Sequence, residues 1–301
     1  MKKVAINGLG RIGRMVFRIA SESEHLEVVA VNASYPAETL AHLINYDSTH
    51  GKWQKTVEPK VGALVVDGHE VKITNDRNPE NLPWSDLGID IVFEATGKFN
   101  DEVGASGHIK AGAKKVVLTG PTKGGNVQTV VVGVNDEILS VDDYEIFSNA
   151  SCTTNCLAPV AKILDDEFGI NNGLMTTVHA YTNDQKTIDN PHKDLRRARS
   201  AAENIIPTST GAAKALGEVL PQLKGKLDGL AVRIPVPVGS LVDLNVEVEK
   251  DCTVEDVNNA FKKASLEPEF EGILKYCEDP IVSVDIIGDS YSTIFDSLST
   301  F

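Results

Sequence analysis

Val4-Ala5-Ile6-Asn7-Gly8-Leu9-Gly10-Arg11-Ile12-Gly13 opens with an apolar run, breaks into a glycine-rich turn and leads into a stretch with helical periodicity. The spacing of Gly8, Gly10 and Gly13 fits G-x-G-x-x-G. A lone match of this kind is weak, and a turn of purely structural use has the same letters. Between a strand and a helix the three glycines serve distinct purposes, namely the tight turn, close approach of backbone to a diphosphate, and helix–strand packing. The free N–H groups at the start of such a helix, with their partial positive charge, suit the diphosphate of a dinucleotide.

Working outward, strands over Val4–Asn7, Val28–Asn32, Ile89–Glu94 and Lys115–Leu118 alternate with helices over Arg11–Ala20, Thr39–Tyr46 and around His108–Ala111. That alternation predicts a parallel sheet with helices on both faces. After residue 150 the pattern changes. In Leu241-Val242-Asp243-Leu244-Asn245-Val246-Glu247-Val248 apolar and polar residues alternate, as in a sheet with one solvated face. The fold class is therefore α/β: a Rossmann-type dinucleotide-binding domain over 1–150 and an α+β domain over 151–301.

A chain of 301 residues with 42% hydrophobic and 24% charged residues is globular and long enough for two cores. Its net charge of −14 argues against nucleic-acid binding, which needs phosphates neutralised by Lys and Arg. The acidic excess concentrates after Asp243 and reads as a solvated face. Within this acidic chain, Lys193-Asp194-Leu195-Arg196-Arg197-Ala198-Arg199 is a basic cluster, either a surface helix turn or an anion site. No apolar run reaches the roughly 18 residues of a membrane span, and no secretory signal is legible at the N-terminus. Four unevenly spaced cysteines are too few for a disulfide framework and lack the ligand spacing of a metal site, so no metal is expected and the compartment is read as cytoplasmic.

The second strand ends Val31-Asn32-Ala33-Ser34, without the carboxylate that would bind a ribose 2′-hydroxyl and repel a 2′-phosphate. NADP is therefore the preferred cofactor, with NAD as the other candidate. Further on, Ser148-Asn149-Ala150-Ser151-Cys152-Thr153-Thr154-Asn155-Cys156 leads from a strand into a helix. Cys152 falls near the helix N-terminus, where the macrodipole favours the thiolate. Cys156, one turn deeper, reads as buried and inert. His179 ends an apolar strand, a common place for a catalytic group, and a cysteine nucleophile needs a base. A cysteine hydrolase would use the same pair but has no need of the glycine turn.

Ser151-Cys152-Thr153-Thr154-Asn155-Cys156, His179-Ala180-Tyr181-Thr182-Asn183-Asp184-Gln185, Pro191–Arg199 and Pro207-Thr208-Ser209-Thr210-Gly211-Ala212-Ala213-Lys214 closely resemble the phosphorylating glyceraldehyde-3-phosphate dehydrogenases along the whole chain. The resemblance implies Cys152 as nucleophile and His179 as base, acting on a triose phosphate and inorganic phosphate. It implies Thr182, Arg197 and Arg233 at the substrate phosphate, and Ser151, Thr153, Thr210 and Gly211 at the inorganic phosphate. Arg11 and Ile12 would line the diphosphate, with Arg77, Thr96 and Thr119 on the adenosine side. Asn32, Ala33, Ser34, Gly97 and Asn183 complete the implied cofactor contacts. Asn32-Ala33 and Asn190-Pro191 resemble the NADP-accepting branch. The family continues beyond the point matching Phe301 with a strand and a helix, so a truncated catalytic domain is the expectation. A homotetramer is implied as well, with no nucleic-acid or membrane partner. An erythrose-4-phosphate dehydrogenase, and a non-catalytic nucleotide-binding or thiol-sensing protein, are the alternatives.

Overall fold

The computed structural model describes residues 1–301 and divides into two compact units, Met1–Val130 with Ile138–Ala150, and Val131–Glu137 with Ser151–Phe301. The first unit runs β1 (Lys2–Asn7), α1 (Arg11–Glu22), β2 (Leu26–Asn32), α2 (Ala37–Asn45), β3 (Tyr46–Asp47), β4 (Gly51–Lys52), β5 (Val57–Lys60), β6 (Ala63–Val66) and β7 (His69–Thr74). It continues through α3 (Trp84–Leu87), β8 (Ile91–Glu94), α4 (Glu102–Lys110), β9 (Lys115–Leu118), β10 (Gln128–Thr129) and β11 (Ile146–Ser148). Nine of these strands form one sheet in the order β10-β11-β9-β8-β1-β2-β7-β6-β5.

The central strand β1 shows why its sequence is a continuous apolar run. Its side chains alternate between faces, and both faces are covered. Val4 and Ile6 pack with Phe17, Leu40 and Ile44, whereas Ala5 packs with Ala30, Trp84, Val92 and Leu118. The sheet is parallel from β10 to β7 but ends in two antiparallel pairings, β7 with β6 and β6 with β5. The expected parallel sheet is thus present, extended at one edge by an antiparallel hairpin. Gly62 (φ +72°) and Gly68 (φ +81°) let the chain reverse tightly here, so no crossover helix is needed.

The second unit contains α5 (Cys152–Phe168), β12 (Ile170–Ala180), β13 (Ile206–Ser209), α6 (Ala212–Val219), β14 (Leu227–Ile234), β15 (Leu241–Val248), α7 (Val254–Ala264), β16 (Leu274–Cys277) and β17 (Thr293–Asp296). A mixed sheet has the order β13-β14-β12-β15, and β16 pairs with β17 in parallel. Alternation along β12 turns Met175, Thr177 and His179 inward, which decides where the histidine ring sits. The strand β15 keeps Leu241, Asp243, Asn245 and Glu247 exposed and half-buries Val242, Leu244, Val246 and Val248. After Asp243 every acidic residue except Asp289 and Asp296 is exposed. No helix is long and apolar enough to cross a membrane.

Candidate active site

Ser151 starts the second unit's key helix. Its Oγ accepts the Thr154 N–H at 3.0 Å and lies 2.8 Å from Thr154 Oγ1, so it serves as the N-cap of α5. The first turn carries no acidic side chain, which leaves the positive end of the helix dipole to Cys152. Just before the cap, Ala150 sits at φ +54°, a left-handed conformation uncommon for a residue with a Cβ. Pro159 lies inside α5 without ending it.

Cys152 is exposed, and its Sγ lies 3.3 Å from His179 Nε2. Desolvation opposes ionisation of the thiol. The His179 hydrogen bond and charge, together with bonds from Thr153, outweigh it and hold Cys152 below the ordinary cysteine value. Cys156 is the opposite case: burial pushes its thiol up, and its Sγ meets Thr293 Oγ1 at 3.4 Å. One helical turn thus separates a thiol drawn toward ionisation from one pushed away from it.

The other ring nitrogen of His179 has two neighbours. Nδ1 lies 2.6 Å from the Ala180 carbonyl and 2.9 Å from Arg233 Nη1, which itself reaches the same carbonyl at 3.1 Å. A single nitrogen serves one of these at a time. As a donor to the carbonyl, Nδ1 keeps the neutral ring's proton and leaves Nε2 a bare acceptor facing the sulfur. Arg233 arrives through sheet register, paired with His179 across β12 and β14. Burial lowers the Arg233 pKa, as does the charge of Arg197, while Cys152 and Asp184 act in the opposite sense. Its Nε is buried without a partner.

Arg197 belongs to a second cluster, in a turn rather than a helix. Its Nη1 donates to Asp184 at 2.5 Å, Nε to Thr208 Oγ1 at 3.1 Å and Nη2 to the Ser209 carbonyl at 3.0 Å. Burial disfavours the Asp184 carboxylate, yet bonds from Arg197 and His192 draw its pKa down. Of the neighbouring basic residues, Arg199 pairs with Asp189 and Arg196 donates to the Pro207 carbonyl. The Thr182 N–H donates to Gln185 Oε1 at 3.3 Å. Buried Thr153 lies in the first turn of α5, and Thr210 Oγ1 accepts the Ala212 N–H at 3.2 Å beside Gly211, the N-cap of α6.

In the first unit Gly8 takes φ +95°. A Cβ on Gly13 would lie 1.9 Å from the Gly8 carbonyl oxygen, whereas a Cβ on Gly10 would meet nothing within 4 Å. The turn is closed on its inner side and open over the helix N-terminus, a cradle that backbone N–H groups share with an approaching anion. Arg11 Nη1 is tied to Asp47, and Arg11 Nη2 is buried without a partner. Burial opposes ionisation of Asp47, but N–H groups of His50 and Thr49 and the Arg11 guanidinium hold its pKa at about 2. An orphaned guanidinium nitrogen beside an open glycine turn fits a diphosphate. Residues 2–102 match the NAD binding domain, and residues 151–301 the C-terminal domain, of glyceraldehyde 3-phosphate dehydrogenase.

The chain belongs to the glyceraldehyde 3-phosphate dehydrogenase family. It is 63% identical over 297 residues to glyceraldehyde-3-phosphate dehydrogenase 2 of Staphylococcus epidermidis, covering 99% of this chain and 86% of that one. The same identity and coverage hold for the protein of that name from Staphylococcus aureus.

In the first unit the other residues expected to contact a cofactor spread along the strand ends. Asn32 Nδ2 donates to Asn7 Oδ1 and to the Asp76 carbonyl, and the Ala33 N–H donates to the Thr74 carbonyl. Ser34 and Arg77 are exposed, as is Ile12 at 53%. Thr96 bonds to Glu94, Gly97 takes φ +72°, and the Thr119 hydroxyl donates to the Glu94 carbonyl. Asn183, in the second unit, is exposed. Three participants have no local signal in the sequence: Asp47, Asp76 and Glu94 reach these positions from loops and strand ends distant in the chain. No group of three or more His, Cys, Asp or Glu is arranged to hold a metal ion.

Proposed function

We propose that the protein oxidises D-glyceraldehyde 3-phosphate, with inorganic phosphate, to 1,3-bisphosphoglycerate and runs the reverse reaction. The observation that carries this reading is the 3.3 Å pairing of Cys152 Sγ with His179 Nε2 at the N-terminus of α5, in a chain of this family. The Cys152 thiolate attacks the aldehyde carbon and forms a thiohemiacetal. His179 Nε2, having taken the proton of the Cys152 thiol, passes it to the developing oxyanion and takes it back as the carbon gives up its hydride, leaving a thioester on Cys152. A nicotinamide dinucleotide, when bound at the glycine turn, supplies the hydride acceptor.

Arg197 and Arg233, with Thr182, would grip the substrate phosphate, since guanidinium matches phosphate oxygens in a two-pronged fashion. Ser151, Thr153, Thr210 and Gly211 would hold the phosphate that attacks the thioester. Gly8, Gly10, Gly13, Arg11 and Ile12 would hold the diphosphate, and Asn32, Ala33, Ser34, Arg77, Thr96, Gly97 and Thr119 the adenosine end. The reading takes the first unit as the dinucleotide-binding domain and the second as the catalytic domain, working as a cytoplasmic homotetramer. The test follows absorbance of the reduced cofactor with triose phosphate present. Growth that requires inorganic phosphate supports the proposal, and bound cofactor without turnover refutes it.

NADP is the proposed preference because Ala33 places no carboxylate at the end of β2, while Ser34 is exposed there to donate a hydrogen bond. The carboxylate of nearby Asp76 is engaged by the Asn78 N–H and Asn81 Nδ2. Introducing a charge by Ala33→Asp sets it against the 2′-phosphate at a cost of roughly 1–4 kcal/mol. The ratio of kcat/KM for NADP over NAD should fall about tenfold. An unaltered ratio in the two-cofactor assay would move the determinant elsewhere.

A further inference from the structure

Four strands that lie side by side, in the order β8-β1-β2-β7, end in polar residues: Glu94, Asn7, Asn32 and Thr74. These ends stand in register, Glu94 opposite Asn7, Asn7 opposite Asn32, and Asn32 opposite Thr74. Their side chains bond in one direction only. Thr74 Oγ1 donates to Asn32 Oδ1 at 3.0 Å, Asn32 Nδ2 to Asn7 Oδ1 at 2.7 Å, and Asn7 Nδ2 to Glu94 Oε2 at 2.5 Å. The row terminates on a carboxyl group that is 1% exposed.

A second line of donors arrives from the other side. Trp84 Nε1 can only donate, and it lies 3.0 Å from His108 Nδ1, so Nδ1 accepts and the ring proton sits on Nε2. That proton points at Glu94 Oε2, 3.1 Å away. The remaining oxygen, Glu94 Oε1, takes both the Thr96 N–H at 2.7 Å and the Thr96 hydroxyl. Every contact of this carboxylate is thus a donor, and none is a Lys or Arg. Such a group is costly to bury, and its worth lies in what it holds.

What it holds is Thr96. A Cβ on Gly8 would lie 2.8 Å from Thr96 Cγ2 and 3.0 Å from Thr96 N, so Thr96 is the wall against which the glycine turn is built. We propose that Glu94, kept in place by His108 and Trp84, is a positioning residue for dinucleotide binding, fixing Thr96 against the Gly8 turn. The inference rests on the reading of the first unit as a dinucleotide site and deepens it. The C-terminal ends of parallel strands are where α/β sheets bind ligands, and here one buried carboxylate gathers four of them into a floor.

The test is Glu94→Gln, with NADP and NAD titrated against the full-length protein by fluorescence and with KM measured for each. A glutamine amide has one acceptor oxygen and one donor nitrogen, so either orientation sets its N–H groups against existing donors. The dissociation constant should rise about tenfold for the better cofactor, with the loss appearing in KM rather than kcat. Thr96→Val keeps the methyl that faces Gly8 and removes the hydroxyl bond, and should raise the constant by a few-fold. Because both variants act through one contact, their effects in the double variant should fall short of multiplying. A Glu94→Gln protein that binds both cofactors as tightly as the parent, or effects that multiply fully, overturns the proposal. Should Glu94→Gln fail to fold, Thr96→Val alone decides, and parent-like binding overturns it. A parent protein that binds neither cofactor removes the dinucleotide reading and this inference with it.

Discussion

Cys152→Ser will reduce triose phosphate oxidation by about four orders of magnitude or more while leaving dinucleotide affinity at the parent level. The size of the effect follows from what ionises near neutral pH. At the N-terminus of α5, with His179 Nε2 3.3 Å away, the thiol has a lowered pKa. A serine hydroxyl has a pKa far above that of a thiol, so the same imidazole cannot hold a useful alkoxide fraction. The substitution is nearly isosteric, and position 152 is exposed, so the helix should tolerate it. Cofactor affinity should hold because the glycine turn belongs to the other unit. Stopped-flow or steady-state turnover alongside a dinucleotide titration checks both halves. Retention of more than about a hundredth of parent turnover would mean that the sulfur is not the attacking atom.

How far the chain can be read without coordinates depends on whether a feature is local. The strands Lys115–Leu118 and Leu241–Val248 have the bounds their residue patterns imply, because period and flanking turns lie within a few residues. The glycine turn is legible for the same reason, as is the start of α5, where a serine cap precedes the cysteine. The antiparallel edge at β5 and β6 is less legible, since short two-faced strands beside Gly62 and Gly68 carry no mark of which sheet they join. Arg11 illustrates a different limit. Its place at the helix N-terminus follows from the motif, but its side chain turns to Asp47, 36 residues on. Arg233 reaches His179 only through pairing of β12 with β14, and Glu94 collects Asn7 from 87 residues before it and His108 from 14 residues after it. Polar contacts between distant strand ends have no period and no spacing, so only the folded sheet reveals them.

His179→Asn separates two duties that the parent imidazole combines. An asparagine can still offer an N–H toward the sulfur, but it neither carries a positive charge nor accepts a proton at these pH values. Turnover should fall by about 10²–10⁴-fold, the range for loss of a general acid–base group. The second consequence concerns Cys152 itself. Desolvation of the sulfur by its neighbours would by itself raise this thiol, and His179 is the largest influence holding it down. Removing that influence sends the thiol upward, so at a fixed neutral pH the thiolate fraction falls. The rate of alkylation by iodoacetamide should therefore drop at pH 7, and its inflection should move to higher pH. Arg233 remains beside the vacated position and still favours the anion, so the shift should stop short of the full desolvation penalty. The removal of Arg233 as well, in His179→Asn with Arg233→Gln, should carry the inflection higher again. An alkylation profile that keeps the parent inflection in His179→Asn would show that the helix N-terminus, rather than the imidazole, sets the acidity of Cys152, and would leave His179 with proton transfer alone.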